Sequence, residues 1–374
     1  MIPFIDLERQ QEEVKGEIDR AIARVLAHGK YIMGPEVFDL EAKLSEFCGV
    51  QHVVSCSNGT DAISLFLRAK NVGSKDAVIV PSFTFIATAE VVSLIGAHPI
   101  FVDVEEDGFN IDPQTISDAC DLARGQGLNP VGVIAVDLFG RPANYKALRR
   151  ACDAHDLWLF ADSAQSFGAT VGGESLFNLA DAASTSFFPA KPLGCYGDGG
   201  AIFTNDDALA EILKSLRVHG KGSDKYDNVR IGYNARLDTI QAAILLQKLT
   251  IFPREIEARN VLASKYSAAL DGRVQVPKIP DDMAPTWAQY TVRVNADDRD
   301  DIMRSLKQDG VPSVVYYPIP LHRQKAYAHY PALDCSVSDM LSREVLSLPM
   351  HGHMDDSISD TVIESVLRST SEKG

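Results

Sequence analysis

With 51 acidic against 36 basic side chains and a net charge of −15, the 374-residue chain disfavours a general nucleic-acid or anionic-membrane surface. Its length allows about two domains, and a composition of 45% hydrophobic and 23% charged residues is ordinary for a soluble globular protein. The six cysteines (48, 56, 120, 152, 195, 335) form no CxxC, no signal-peptide pattern opens the chain and no apolar run is long enough for a membrane span, so a cytoplasmic protein with reduced thiols is expected.

In chain order, Val14, Ile18, Ile22 and Val25/Leu26 recur at helical spacing and predict a helix from Glu8 to Leu26, ended at Gly29. A second helix uses Val37, Leu40, Leu44 and Phe47 and stops at Gly49. From Val53 strands and helices alternate, the pattern of a sheet covered on both faces. Strands are expected at Val53–Ser55, Val78–Val80, Ile100–Val102, Val131–Val136 and Leu157–Asp162. Helices are expected after Asn58-Gly59-Thr60-Asp61, at Ala87–Leu94, at Asn144–His155 and from Asp206 to Arg217.

Between 214 and 236 the chain carries six cations (214, 217, 221, 225, 230, 236) against Asp224 and Asp227. In so acidic a protein this is either a solvated loop or a clamp for an anionic ligand. Asp238 to Leu270 reads as one long helical stretch, bent near Pro253, and holds the expected domain boundary. A large domain covers 1–250 and a smaller α/β domain 251–374, with the first residues packing on the smaller one. The smaller domain is expected to hold strands at Tyr290–Val294 and Ser313–Tyr317 and helices at Asp298–Gln308 and Ile358–Leu367. His351-Gly-His353 suggests no third metal ligand nearby and reads as a surface turn.

Two stretches carry chemistry. In Thr185-Ser-Phe-Phe-Pro-Ala-Lys191-Pro-Leu-Gly-Cys-Tyr-Gly-Asp-Gly-Gly-Ala-Ile-Phe-Thr204, two β-prone runs flank a turn with glycines at 194, 197, 199 and 200. Lys191 stands there between prolines, either an incidental lysine at a polar hairpin tip or one seated to lose its proton and attack a carbonyl. Leu157-Trp-Leu-Phe-Ala-Asp162 is a buried-type strand ending in a carboxylate, where open α/β sheets place ligands. A carboxylate and a Schiff-base lysine together point to pyridoxal phosphate, whose ring nitrogen wants an acidic partner.

On these residues, and on Phe4-Ile-Asp-Leu7, Gly34-Pro35-Glu36 and Tyr317-Pro-Ile-Pro-Leu-His322, the chain resembles end to end the DegT/StrS-type nucleotide-sugar aminotransferases. The resemblance implies the fold-type I α/β architecture: a large domain with a mixed, mostly parallel sheet flanked by helices, plus a smaller α/β domain. It also implies pyridoxal 5′-phosphate, cycling through pyridoxamine phosphate, with Lys191 as covalent anchor and proton shuttle and Asp162 on the ring nitrogen. Gln165 would contact the ring hydroxyl and Phe85 stack on the ring. Gly59, Thr60 and Ser186 would hold the phosphate, joined by Asn234 from the neighbouring subunit of a homodimer. Taken alone, Asn58-Gly59-Thr60 is an ordinary turn and N-cap, and Phe85 an ordinary core aromatic. Gly29, Tyr31, Ser186, Arg230, Tyr316 and Tyr317 would meet the sugar nucleotide, leaving the other cations of 214–236 solvated. Two positions depart from the family pattern: Ser163 replaces an alanine and Tyr316 a histidine.

The implied reaction moves the amino group of glutamate to a nucleotide-linked keto sugar. The segments Gly29–Val37, Ser186–Gly200 and Tyr317–Pro320 most resemble enzymes that aminate UDP-2-acetamido-2-deoxy-3-oxo-glucuronate, in surface-polysaccharide precursor synthesis. A UDP- or dTDP-linked 4-keto-6-deoxy sugar is the alternative substrate. A regulatory protein that binds the cofactor without turnover is the alternative of another class. No metal, nucleic acid or membrane is called for.

Overall fold

The computed structural model describes residues 2–224 and 226–371. Lys225, one of the six cations of the basic stretch, lies outside the described residues. Helices α1 (Leu7–His28) and α2 (Pro35–Cys48) lead into β1 (His52–Cys56). Then α3 (Gly59–Ala69), β2 (Asp76–Pro81), α4 (Ala87–Leu94), β3 (His98–Val102), α5 (Ile116–Gly125), β4 (Asn129–Val136), α6 (Tyr145–His155) and β5 (Trp158–Asp162) alternate. A small hairpin of β6 (Thr170–Val171) and β7 (Glu174–Ser175) precedes β8 (Ala182–Ser186), β9 (Gly200–Thr204), α7 (Asp207–Leu216) and the 32-residue α8 (Thr239–Leu270). The chain continues through β10 (Met283–Ala284), β11 (Tyr290–Arg293), α9 (Arg299–Gln308), α10 (Ser336–Glu344), β12 (Val345–Leu348) and α11 (Asp356–Ser371).

The main sheet has the order β1-β9-β8-β5-β4-β2-β3. Its strands pair in parallel from β8 to β3, while β9 runs antiparallel to both β1 and β8. Burial on both faces follows from the alternation of side chains along each strand. Val133, Ala135, Leu159 and Ala161 pack into one core, and Ile134 and Phe160 into the opposite one. The register Val136↔Asp162↔Ser184 sets Asp162 at the carboxyl end of a central strand. A mixed α/β sheet flanked by helices was the expected fold, and it is what forms.

Helix α8 contributes buried residues along its whole length, from Ala242 to Leu270, packs on α1 and α2, and has Pro253 inside it. Its second half joins a separate core with Tyr290, Leu306, Leu346 and Val362. The chain's start reaches the same region: Ile2 N–H donates to Gly310 O (3.3 Å), and Met350 N–H to Phe4 O (3.4 Å).

Four expectations need correction or completion. Ser313–Tyr317 is not a strand. Val314 makes a single bridge to Ser347, and Val315, Tyr316 and Tyr317 instead pack on the Phe83–Phe139 cluster. The partner of β11 is β12, and neither β12 nor helices α5 and α10 were expected. His351–His353 is not a surface turn: His351 is buried, and His353 bonds Glu255, itself buried in α8 (2.6 Å). Arg217 is not solvated; it is buried, paired with Glu41 and bonded to the Ser55 carbonyl (2.8 Å). Among the described residues no helix is long and apolar enough to cross a membrane.

Candidate active site

Asp162 is buried where β5 ends. Its Oδ1 accepts from the Ala164 N–H (3.2 Å) and its Oδ2 from the Thr88 hydroxyl at the start of α4 (3.2 Å). Burial raises its pKa above the ordinary 3.8, and the Ala164 N–H, the Lys191 charge and Thr88 offset only part of that. Lys191 lies across from it in the β8–β9 connection, its N–H donating to the Phe188 carbonyl (2.8 Å). Desolvation lowers the Lys191 amine from its ordinary 10.5, and Asp162 pulls it partly back. Both charges are therefore disfavoured in one place, a setting suited to an amine that must give up its proton beside a carboxylate.

Gln165 follows in the turn after β5. Its Oε1 accepts from the Phe139 N–H (2.7 Å), which fixes the amide orientation, and its Nε2 donates to the Tyr317 hydroxyl (3.4 Å). Thr286 Oγ1 donates to the Gln165 carbonyl (3.0 Å), tying the turn to the C-terminal part of the chain. Tyr317 packs at 6.1 Å from Phe85, 6.4 Å from Phe83 and 5.8 Å from Tyr316. Phe85 is half exposed, at 52%, so it offers a free aromatic face beside this group instead of filling the core.

Helix α3 begins against the hairpin. Asn58 caps it by accepting from the Asp61 N–H (2.7 Å), and the first amides of a helix, at the positive end of its dipole, have no partner within the helix. A Cβ on Gly59 would come within 2.8 Å of Ser186 Cβ, and one on Gly200 within 2.5 Å of the Asn58 carbonyl. The two glycines let the helix start and the strand ends touch, bringing Gly59, Thr60 and Ser186 together.

The remaining expected residues divide. Tyr316 packs on Tyr317 and on Phe4 (6.4 Å), so it borders the site. Gly29 caps α1 in the left-handed region, and half-exposed Tyr31 sits on the start of α8, its carbonyl accepting from Thr239 N–H (3.0 Å). Arg230 and Asn234 are exposed, and their hydrogen bonds go to Ser215 (3.3 Å) and Arg236 rather than to the Lys191 group.

Two residues escaped the sequence reading. Thr88 had a signal, since Thr84 and Thr88 stand four residues apart on either side of Phe85. Asp137 had a clearer one: Val136-Asp137 repeats the strand-then-aspartate syntax that singled out Asp162. Ser163, the departure from the family pattern, donates to Asp137 (2.8 Å).

The chain is 46% identical over 356 residues to the UDP-2-acetamido-2-deoxy-3-oxo-D-glucuronate aminotransferase of Pseudomonas aeruginosa, covering 95% of this chain and 96% of that one. Its fold matches the crystal structure of a DegT DnrJ EryC1 StrS aminotransferase from Brucella abortus with a TM-score of 0.96 and 45% identity, over 98% and 99% of the two chains. It matches NtdA from Bacillus subtilis, solved with bound cofactor PMP, at 0.92 and 30% identity, over 99% of this chain and 85% of that one. Residues 12–367 match the family description itself, and with a strand-end aspartate facing a lysine of lowered pKa, the chain belongs to the DegT/DnrJ/EryC1/StrS aminotransferase family.

Proposed function

We propose that this protein is a pyridoxal-phosphate-dependent aminotransferase that passes the amino group of glutamate to UDP-2-acetamido-2-deoxy-3-oxo-glucuronate, supplying a surface-polysaccharide precursor in the cytoplasm. The observation that carries this reading is the Asp162–Lys191 pair at the end of β5, in a chain 46% identical to an aminotransferase of that name. When bound, pyridoxal phosphate supplies an aldehyde carbon that takes up the donor's nitrogen and a ring that accepts the electron pair left at the donor's Cα.

The residues present fit that group. Lys191 Nζ, favoured in its neutral form by desolvation, would hold the aldehyde carbon and would serve as the base that moves the proton at the donor's Cα. Asp162 is a buried carboxylate that its own hydrogen bonds compensate only in part, and it would hold a proton on the ring nitrogen. Gln165, its carbonyl taken by Phe139, offers an N–H to the ring oxygen, and Phe85 offers its face to the ring. The first amides of α3, with Gly59, Thr60 and Ser186, hold the phosphate.

We assign Gly29, Tyr31, Ser186, Tyr316 and Tyr317 to the sugar nucleotide; the packing of Tyr317 on Phe85 and of Tyr316 on Tyr317 supports the last two. We assign Arg230 and Asn234 to the opposite site of a homodimer, because both are exposed and turned away from the Lys191 group of their own chain. The neighbouring side chains Val229 and Ile231, 54% and 79% exposed, give that segment an apolar surface suited to a subunit contact.

Purified protein should show a visible absorbance band that disappears when glutamate is added. A band that persists in glutamate would favour the regulatory alternative, and a protein that takes up no pyridoxal phosphate would refute the assignment.

A further inference from the structure

We propose that Asp137 is a positioning residue for the transamination: its carboxylate clamps the loop after β4 to the turn that carries Asp162 and Gln165. The inference deepens the aminotransferase reading and rests on it. Asp137 is fully buried, and each of its oxygens serves one side. Oδ1 accepts from the Ala143 N–H (2.7 Å) and the Tyr145 hydroxyl (2.8 Å), both beyond β4. Oδ2 accepts from the hydroxyls of Ser163 (2.8 Å) and Ser166 (2.7 Å), on either side of Gln165. Four donors fill the accepting capacity of an ionised carboxylate.

The two sides held in this way meet again at the site. The Asp137 N–H donates to the Asp162 carbonyl (3.1 Å), and the Phe139 N–H, from the loop side, fixes Gln165 Oε1 (2.7 Å). Asp137 is thus one residue removed from both side chains assigned to the cofactor ring. A neutral amide has only one accepting oxygen, so it cannot serve both sides in the same way. Buried networks of this kind fix a unique geometry when every member is satisfied. Ser163 acquires a role here, since an alanine would leave Oδ2 with Ser166 alone.

The test compares wild type with Asp137→Asn and with the pair Ser163→Ala/Ser166→Ala. Three quantities are measured well below the melting temperature: pyridoxal phosphate affinity of the cofactor-free protein, the visible spectrum, and the split between kcat and KM. The clamp predicts an affinity and a kcat each lower by about tenfold, the usual scale for partners that orient a binding group, with KM for the keto sugar within about twofold. It also predicts a shifted pH midpoint for the visible band, because Asp162 is no longer held in place. Variants that melt earlier yet keep wild-type affinity, kcat and band would overturn it, showing a role in stability alone. Should Asp137→Asn fail to fold, the serine pair decides by the same criteria. Failure of the aminotransferase reading shows in the wild type, whereas failure of the clamp shows only in the variants.

Discussion

At the scale of single residues, the site works by opposing two burials. Desolvation pushes the Lys191 amine down and the Asp162 carboxyl up, while their mutual attraction restrains both shifts. Capture of pyridoxal phosphate needs the neutral amine, so its rate should rise with pH and level off below 10.5, the ordinary value for lysine. Asp162→Asn removes the charge that raises the amine, so the midpoint should move to lower pH. Stopped-flow absorbance at a series of pH values checks this, and an unmoved or higher midpoint would show that the two groups are not coupled. The linked stability has a defined sign: between the lowered folded pKa and 10.5 the unfolded chain holds the proton more tightly, so the penalty of burying Lys191 eases as pH rises. Lys191, Asp162 and Gln165 were legible because apolar strands and glycines frame them within one short stretch. Thr88 and Glu41 were not, because the partners that give them meaning lie 74 and 176 residues away, at Asp162 and Arg217.

At the scale of elements, the alternation of strands and helices was readable because most of the strands are short apolar runs closed by turn residues. The antiparallel return of the Lys191 segment was readable too, with Ser186 facing Gly200 across it. Ser313–Tyr317 misled because its β-branched and aromatic residues look like a strand, whereas Pro312, Pro318 and Pro320 take donors away on both sides. Nor does local sequence say which edge of β11 is free; β12 takes it from 55 residues onward. The contact that would build the proposed phosphate cup is more specific still. Gly200→Ala would drive a methyl into the Asn58 backbone, which cannot move without shifting the start of α3. We expect a stability loss of about 1–3 kcal/mol by urea unfolding and an affinity for pyridoxal phosphate lower by about tenfold or more. Gly73→Ala, where a Cβ would meet nothing within 4 Å, is the control and should change neither. An unchanged affinity in Gly200→Ala would remove the cup from the account.

At the scale of the whole molecule, we propose that the chain divides near residue 250, with α8 running through both parts and joining the core of Tyr290, Leu346 and Val362 at its far end. A shared active site follows from the proposed homodimer, in which each protomer lends Arg230 and Asn234 to the other. Mixing Lys191→Ala with Arg230→Ala, each inactive alone, should return up to about a quarter of wild-type activity per total site by random pairing. If subunit exchange is shown to occur and no activity returns, Arg230 acts within its own chain. The proposed pairing rests on the family resemblance and on the exposure of Arg230 and Asn234. The central claim, amination of a keto sugar through Lys191, is tested most directly by incubating the enzyme with ¹⁵N-glutamate and UDP-2-acetamido-2-deoxy-3-oxo-glucuronate and reading the product by mass spectrometry. The account predicts one ¹⁵N in the sugar of the product, absent with Lys191→Ala; an unlabelled sugar with wild-type enzyme, or equal labelling by Lys191→Ala, would contradict it.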